Sequence, residues 1–296
     1  MLVYQPVVHK DNLVIFNVRL IIISAVYNMS QQLVDNIEML KSQTYIDFEV
    51  YFGDDLSTDN SVSVIEDNIR NDIRFKLFKN DEKRFSLGNI YHLIKQAKPK
   101  DEDIIILLDG DDCLADEKTL EYLLEFYSRN DCLMTFGSFS RMNASRDSTC
   151  AKYPSWCIKL NLFRYCSWRA SHLKTFKYIL WKNIEPSYLT ISKKEYRSNV
   201  RSFLLKGRIR NWLRIKNVRY EDIVTEDGVF VRRCDDKFFT LPMLEMARDK
   251  ALYIERIMYK YNGCTSDPNF GDSNKKWSQR LLRHSAFRKS KHRPLL

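Results

Sequence analysis

The chain has 296 residues, which allows one large domain or one domain with a sizeable subdomain. At 44% hydrophobic and 13% aromatic it can bury a real core, which excludes global disorder, and no apolar run approaches the ~20 residues of a membrane span. The net charge of +10 is local: residues 193–219 hold ten Lys/Arg and one acidic residue, and residues 275–293 hold eight and none.

Residues 1–18 read as a lead-in, with no basic start, long apolar run or small-residue cleavage site of a signal peptide. "RLIIISAVYN" (19–28) reads as a buried strand ending in a polar loop. Leu33, Ile37 and Leu40 follow at helical spacing, with Ser30 as a candidate cap. "FEVYFGDD" (48–55) is a second strand, ending in Asp54 and Asp55, and "STDNSVSVIEDNIR" (57–70) starts like a capped helix, with Asp59 placed to cap it. "FKLFKN" (75–80) is a short strand and "LGNIYHLIKQA" (87–97) an amphipathic helix. "DIIILLDGDD" (103–112) is the next strand, "EKTLEYLLEFYSR" (117–129) a helix and "CLMTFGSF" (132–139) a strand. Alternating strands and helices predict a right-handed, mostly parallel α/β sheet, with ligands at the carboxyl ends of the strands. Tyr27-Asn28, Asp54-Asp55 and Asp109 to Asp112 should then converge on one crevice.

The second half differs in character. Residues 150–190 are rich in aromatics, and "SHLKTFKYILWKNI" (171–184) reads as a helix. "DDKFFTLPMLEMARDK" (235–250) reads as another helix despite Pro242, and "IERIMYKYN" (254–262) as a strand. A soft boundary falls near residue 140, giving a first half of 1–140, a second of 141–262 and a basic tail of 263–296. The seven cysteines are odd in number and form no C-x-x-C pair, which favours reduced thiols and a cytoplasmic setting over disulfides or structural zinc. The basic blocks suit a phosphate-rich surface such as a membrane or polyanionic acceptor, or else a solvated helix face and tail. Aromatics do not interleave with them regularly, so nucleic acid is not expected as a partner.

Three carboxylates in four residues at a strand end, Asp109, Asp111 and Asp112, suit an oxygen-ligated Mg²⁺ or Mn²⁺ that shares its remaining positions with substrate phosphates. Asp54 or Asp55 could accept the N–H of a nucleobase. The ordered set "IIISAVYN", "SQTYIDFEVYFGDDLSTDNS" and "IIILLDGDD" resembles the nucleotide-sugar-binding half of a family 2 glycosyltransferase over about residues 19–140. The resemblance implies a GT-A fold: a Rossmann-like α/β sheet, mixed but mostly parallel, with a helical, aromatic acceptor subdomain. It implies a metal-dependent, inverting transfer from a nucleotide-sugar donor, UDP-linked, to a glycan, lipid-linked or polysaccharide acceptor.

By position, Ala25, Val26, Tyr27 and Asn28 would line the nucleotide pocket, and Asp54 and Asp55 would contact base and ribose. Asp109 and Asp111 match the D-x-D pair that holds the metal and the ribose side of the donor, with Gly110 between them and Asp112 in support. The family's usual Pro is replaced by Ala25. Its Arg-Asn before a helix is reduced to Asn89, with Arg84 as a substitute charge. An inverting transferase needs a carboxylate base in the second half. Glu221, Asp222, Glu226, Asp227, Asp235 and Asp236 are candidates; resemblance around "P-M-L-E-M-A" favours Asp236, then Asp235. His172, in another resembling segment, would contact diphosphate or acceptor, and Trp168 could stack on a sugar. Two rival readings are a HAD-type phosphatase, which "LLDGDD" also resembles although Cys113 breaks that pattern, and a non-enzymatic polyanion-binding protein using residues 193–219.

Overall fold

The apolar runs form strands because each is buried from both sides. In the computed structural model, β1 (Leu20–Val26), β2 (Phe48–Asp54), β3 (Phe75–Lys79) and β4 (Ile104–Leu107) are parallel, with β1 between β2 and β4. Residues 18–141, 150–206, 218–225, 228–232, 235–262, 281–283, 285–289 and 292–295 are described. The lead-in up to residue 17, Glu226, Asp227, Cys234, Cys264 and most of the basic tail lie outside the described residues. The five described cysteines are free thiols.

Strand side chains alternate between faces. Leu20, Ile22 and Val26 therefore enter one core, with Leu33, Ile37 and Leu40 of α1 (Gln32–Lys41), Ile65 of α2 (Ser61–Ile69), and Leu120 and Leu123 of the later helix α4 (Thr119–Arg129). Ile21 and Ile23 enter the other, with Leu87, Ile90, Leu93 and Ile94 of α3 (Phe85–Ala97). Ser30 does not cap α1; its amide donates to Asp59 Oδ2 at 3.0 Å, while Asp59 Oδ1 accepts the Ser61 amide at 2.9 Å. Asp59 thus both fixes the start of α2 and ties it to the loop after β1.

The remaining strands are β5 (Cys113–Leu114), β6 (Met134–Arg141), β7 (Ser171–Lys177) and β8 (Ala251–Tyr261), completing the order β3-β2-β1-β4-β7-β6-β8-β5. β7 runs antiparallel to β4 and β6, β5 antiparallel to β8, and β6 parallel to β8. The sheet is therefore mixed. The helix expected over 171–184 is instead strand β7 followed by the short α6 (Tyr178–Lys182). Helix-forming Leu and Lys side chains are overridden there by tertiary pairing, since Leu173, Lys174, Thr175 and Phe176 are all buried between two strands. Thr175 Oγ1 shares hydrogen bonds with Thr135 Oγ1 (2.6 Å) and Tyr127 Oη (2.9 Å). The boundary near residue 140 falls within β6, and β7 returns to the middle of the sheet, so one continuous sheet joins the two halves.

The second half adds α5 (Ser155–Lys159), α7 (Lys193–Lys206) and α8 (Asp235–Ala247). α8 is anchored by a buried pair: Arg164 donates to both Glu245 carboxylate oxygens (2.5 and 2.8 Å), and its Nη1 donates to the carbonyls of Ala286 and Lys289. The His292 amide donates to Glu245 Oε2 at 3.0 Å, so the C-terminal segment is strapped across the helix. Among the described residues no helix is long and apolar enough to cross a membrane.

Removing one partner of a buried pair leaves the other charge uncompensated. Glu245→Ala should therefore cost about 3–5 kcal/mol of stability in urea unfolding. A loss no larger than that of a surface substitution would show that the strap does not hold α8.

Candidate functional site

The loop after β4 is fixed by its backbone before its carboxylates act. Asn36 Nδ2 donates to the carbonyls of Asp112 (2.6 Å) and Asp109 (3.3 Å). Gly110 packs against the end of β1, where a Cβ would lie 3.0 Å from Val26 Cγ2, 3.2 Å from Met29 Sδ and 3.3 Å from the Ala25 carbonyl. Only glycine lets the two flanking aspartates stand this close to the strand ends. The two-residue β5 then pairs Cys113 with Lys260 and Leu114 with Tyr259. That register delivers the Tyr259 hydroxyl to Asp112 Oδ2 (2.6 Å) and the Asn262 amide to Asp112 Oδ1 (2.7 Å).

Asp112 is thus a buried anchor, and Asp109 and Asp111 remain as the outward pair. Burial pushes the Asp109 carboxyl up to about 6, with Asp112 adding repulsion. Burial and the charges of Asp112 and Asp109 push Asp111 up to about 7. Solvent reaches Asp109, which screens part of this repulsion. Two oxygen donors held against their own repulsion fit a hard divalent cation. No group of three or more His, Cys, Asp or Glu among the described residues could hold a metal ion. Among the described residues, protein ligation of an ion would rest on these two carboxylates, with other positions open to substrate oxygens and water.

Asp236 lies near enough to this pair for its charge to act on Asp109. It stands in the first turn of α8, where the helix dipole favours an anion, and pairs with Lys174, whose side chain is 3% exposed. Although burial alone would raise its pKa, the Lys174 ammonium holds the Asp236 carboxyl well below the usual range. The Lys174 charge also acts on Asp109 and favours its ionised form, while the Asp236 charge opposes it. His172 stacks on Tyr259 at 4.6 Å and faces Phe139 edge-on at 6.0 Å. Burial and Lys174 bring its imidazole down to about 3, so it is neutral at physiological pH and forms an aromatic wall.

At the ends of β1 and β2 the predicted residues separate. Asp54 accepts the Ser57 amide through Oδ2 (3.2 Å), while its buried Oδ1 has no hydrogen-bond partner. Asp55 is turned inward: it accepts the amides of Arg84 (2.7 Å) and Phe85 (3.1 Å) and Asn80 Nδ2 (3.1 Å). Asn89 supports it through Asn80 (2.7 Å). Val26 points into the core and offers the site only backbone. Asn28, at φ +54°, accepts the Thr58 amide at 2.7 Å, using the left-handed region that Asn tolerates. Lys83 Nζ lies 2.9 Å from the centre of the Tyr27 ring and donates to the Asp55 carbonyl at 2.7 Å.

Sequence reasoning missed Lys83, Lys174 and Tyr259. Lys174 had no signal that set it apart from Lys177 and Lys182 in a stretch that reads as a helix. Tyr259 had none, because its role depends on the pairing of β5 with β8. Asp235 is the first residue of α8, beside Asp236. Glu221 and Asp222 lie in a short 3-10 helix, where Asp222 accepts the Arg219 amide at 2.8 Å.

The family model described as "Glycosyl transferase family 2" matches residues 21–177. An uncharacterized glycosyltransferase of Haemophilus influenzae is 34% identical over 119 residues, covering 40% of this chain and 46% of that protein. The chain thus spans less than half the length of this curated relative. S. aureus TarS 1-349, solved in complex with UDP-GlcNAc, superposes with a TM-score of 0.58 at 14% identity, covering 90% of this chain and 66% of that one. The mannosyltransferase PcManGT from Pyrobaculum calidifontis, solved with GDP-Man and Mn²⁺, gives 0.52 at 15% identity, covering 94% and 66%. At these identities the likeness carries the fold, which is of the GT-A type.

Raised carboxyl pKa values imply proton release on cation binding. Mn²⁺ affinity, measured by calorimetry, should rise at least about tenfold between about pH 5.5 and about pH 7.5 as Asp111 and Asp109 deprotonate. An affinity flat across that window would remove this pair from the ion site.

Proposed function

Because the chain belongs to glycosyl transferase family 2, we propose that it transfers a hexosyl group from a UDP-sugar to a glycan, lipid-linked or polysaccharide acceptor, with inversion and with dependence on Mn²⁺ or Mg²⁺. The observation that carries this reading is the pairing of an ionised Asp236, held by buried Lys174, with the strained Asp109–Asp111 pair near it. Neither a phosphatase nor a polyanion-binding module accounts for both.

The buried, unpartnered Asp54 Oδ1 supports recognition of a base N–H at the end of β2. Asp109 and Asp111 would hold the divalent ion, which when bound neutralises charge on the leaving diphosphate. Asp236 takes the proton from the acceptor hydroxyl as its oxygen bonds to the anomeric carbon and the bond to the diphosphate breaks. A base with so low a pKa is a weak proton acceptor in the free protein. Lys174 already acts on Asp109 as well, and sharing its charge with the donor diphosphate raises the proton affinity of Asp236 once the donor is bound. His172 and Tyr259 wall the site and exclude water, a role that a neutral imidazole suits.

Asp236→Asn should lower kcat by about 10²–10⁴-fold while donor binding is retained. Asp111→Ala should abolish Mn²⁺-dependent turnover in a protein that stays folded. Full activity in either variant would sink the corresponding role.

The basic residues of α7 and the tail favour peripheral contact with an anionic membrane near a lipid-linked acceptor. Co-sedimentation with phosphatidylserine vesicles should be strong at low salt and lost at high salt. No binding at low salt would remove the membrane from this reading.

A further inference from the structure

A second cationic site lies beside the base end of the donor site. Gly88, Tyr91, His92 and Lys95 fall on one face of α3. With Glu82, Lys83 and Arg84 before the helix, and Thr225 and Phe230 from a turn closed by the Val224–Val231 bridge, they line a cavity of about 220 Å³. Asp109, Asp111, Lys174 and Asp236 are not among its lining residues.

The cavity is built rather than incidental. A Cβ on Gly88 would lie 3.1 Å from Arg84 Cβ and 3.5 Å from Phe230 Cδ2, so glycine lets Phe230 and Arg84 close on the helix. The Phe230 ring then packs on Tyr91 at 5.1 Å. Arg84 Nη1 lies 2.7 Å from His92 Nδ1. A guanidinium only donates, so Nδ1 must accept and the imidazole is neutral. Burial, with the charges of Arg84 and Lys95, lowers the His92 pKa in the same sense.

Among the described lining residues three cations, Lys83, Arg84 and Lys95, stand with one carboxylate, Glu82, and Lys83 is also paired with Asp55 Oδ2 at 3.3 Å, which leaves Arg84 and Lys95 for a ligand. Glu82 is 69% exposed and 3.8 Å from Arg84, and Asp81 is 89% exposed at 3.3 Å. Arg84 Nε is buried and has no acceptor. A buried guanidinium N–H without an acceptor is costly, and an incoming anion with two oxygens satisfies it.

We propose that this cavity binds a phosphate-bearing ligand, with Arg84 and Lys95 on the phosphate and the Tyr91–Phe230 pair against the group that carries it. Pockets for drug-sized ligands run to about 300–1,000 Å³, so this smaller one suits a phosphate monoester rather than a whole nucleotide sugar. Lys83 joins the two sites, because it contacts Tyr27 and the Asp55 carbonyl while lining the cavity. A free nucleotide and a phosphorylated acceptor present the same chemistry here, and the site stands whether or not the donor reading holds.

The test is titration of inorganic phosphate into the full chain without divalent cation, followed by calorimetry and by the His92 Cε1–H resonance, assigned with His92→Gln. Phosphate should shift that resonance and raise the pKa it reports. Arg84→Gln and Lys95→Gln should each weaken binding about tenfold, and Asp109→Asn should leave it unchanged. Competition by UMP or by glycerol 3-phosphate supports the site, and the tighter competitor names the source. A His92 resonance that does not move, binding lost in Asp109→Asn but kept in Arg84→Gln, or failure of both esters to compete would each overturn the proposal.

Discussion

The site depends on the hold that β8 takes on Asp112. One carboxylate, bonded to the Tyr259 hydroxyl and the Asn262 amide, joins the loop after β4 to a strand almost 150 residues later. Beside that clamp, Asn36, the packing of Gly110 and the Asp112 amide on the Asp109 carbonyl help the loop resist the repulsion of its three aspartates. With the clamp, Asp112 is spent on structure, and Asp109 and Asp111 are left facing outward at a fixed spacing. Two hydrogen bonds to a carboxylate are charge-assisted and strong, which is what holding like charges together requires.

A second consequence of the same geometry is the division of charge across the site. The loop after β4 gathers carboxylates whose pKa values rise, while Lys174 and the start of α8 gather one whose pKa falls. Neighbouring acids pushed in opposite directions divide into different tasks. The low-pKa member rests on a helix that the Arg164–Glu245 pair and the C-terminal segment lock in place. The end of β2 is held by Asp55, whose bonds to the Arg84 and Phe85 amides fix the start of α3 beside it.

Much of this was legible in the sequence where local pattern and burial agree. The runs 20–26 and 104–107 are apolar on both faces and read as buried parallel strands, and the aspartates at their ends read as a ligand site. Where tertiary context decides, the sequence misleads. β7 reads as a helix because Leu and Lys favour one, yet it is inserted between two strands. Asp54 and Asp55 are adjacent and read alike, but the loop at 80–85 claims one and leaves an oxygen of the other free. The roles of Tyr259 and Lys174 rest on pairing partners far away in the chain, which no local signal carries.

The placement of β7 and β8 bears on the order in which the molecule is made. Strands up to β4 can pair as they emerge, but β4 has a bare edge until residue 177 arrives, and Asp112 has no partner until residues 259–262 do. Contacts this distant in sequence form late, because loop closure must precede them. During synthesis the carboxylate loop is therefore the last part of the sheet to be secured. A chain cut before β8 would carry every recognisable motif of the first half and still leave the loop at Asp109–Asp112 unclamped, so the order of that loop waits on a strand from the second half.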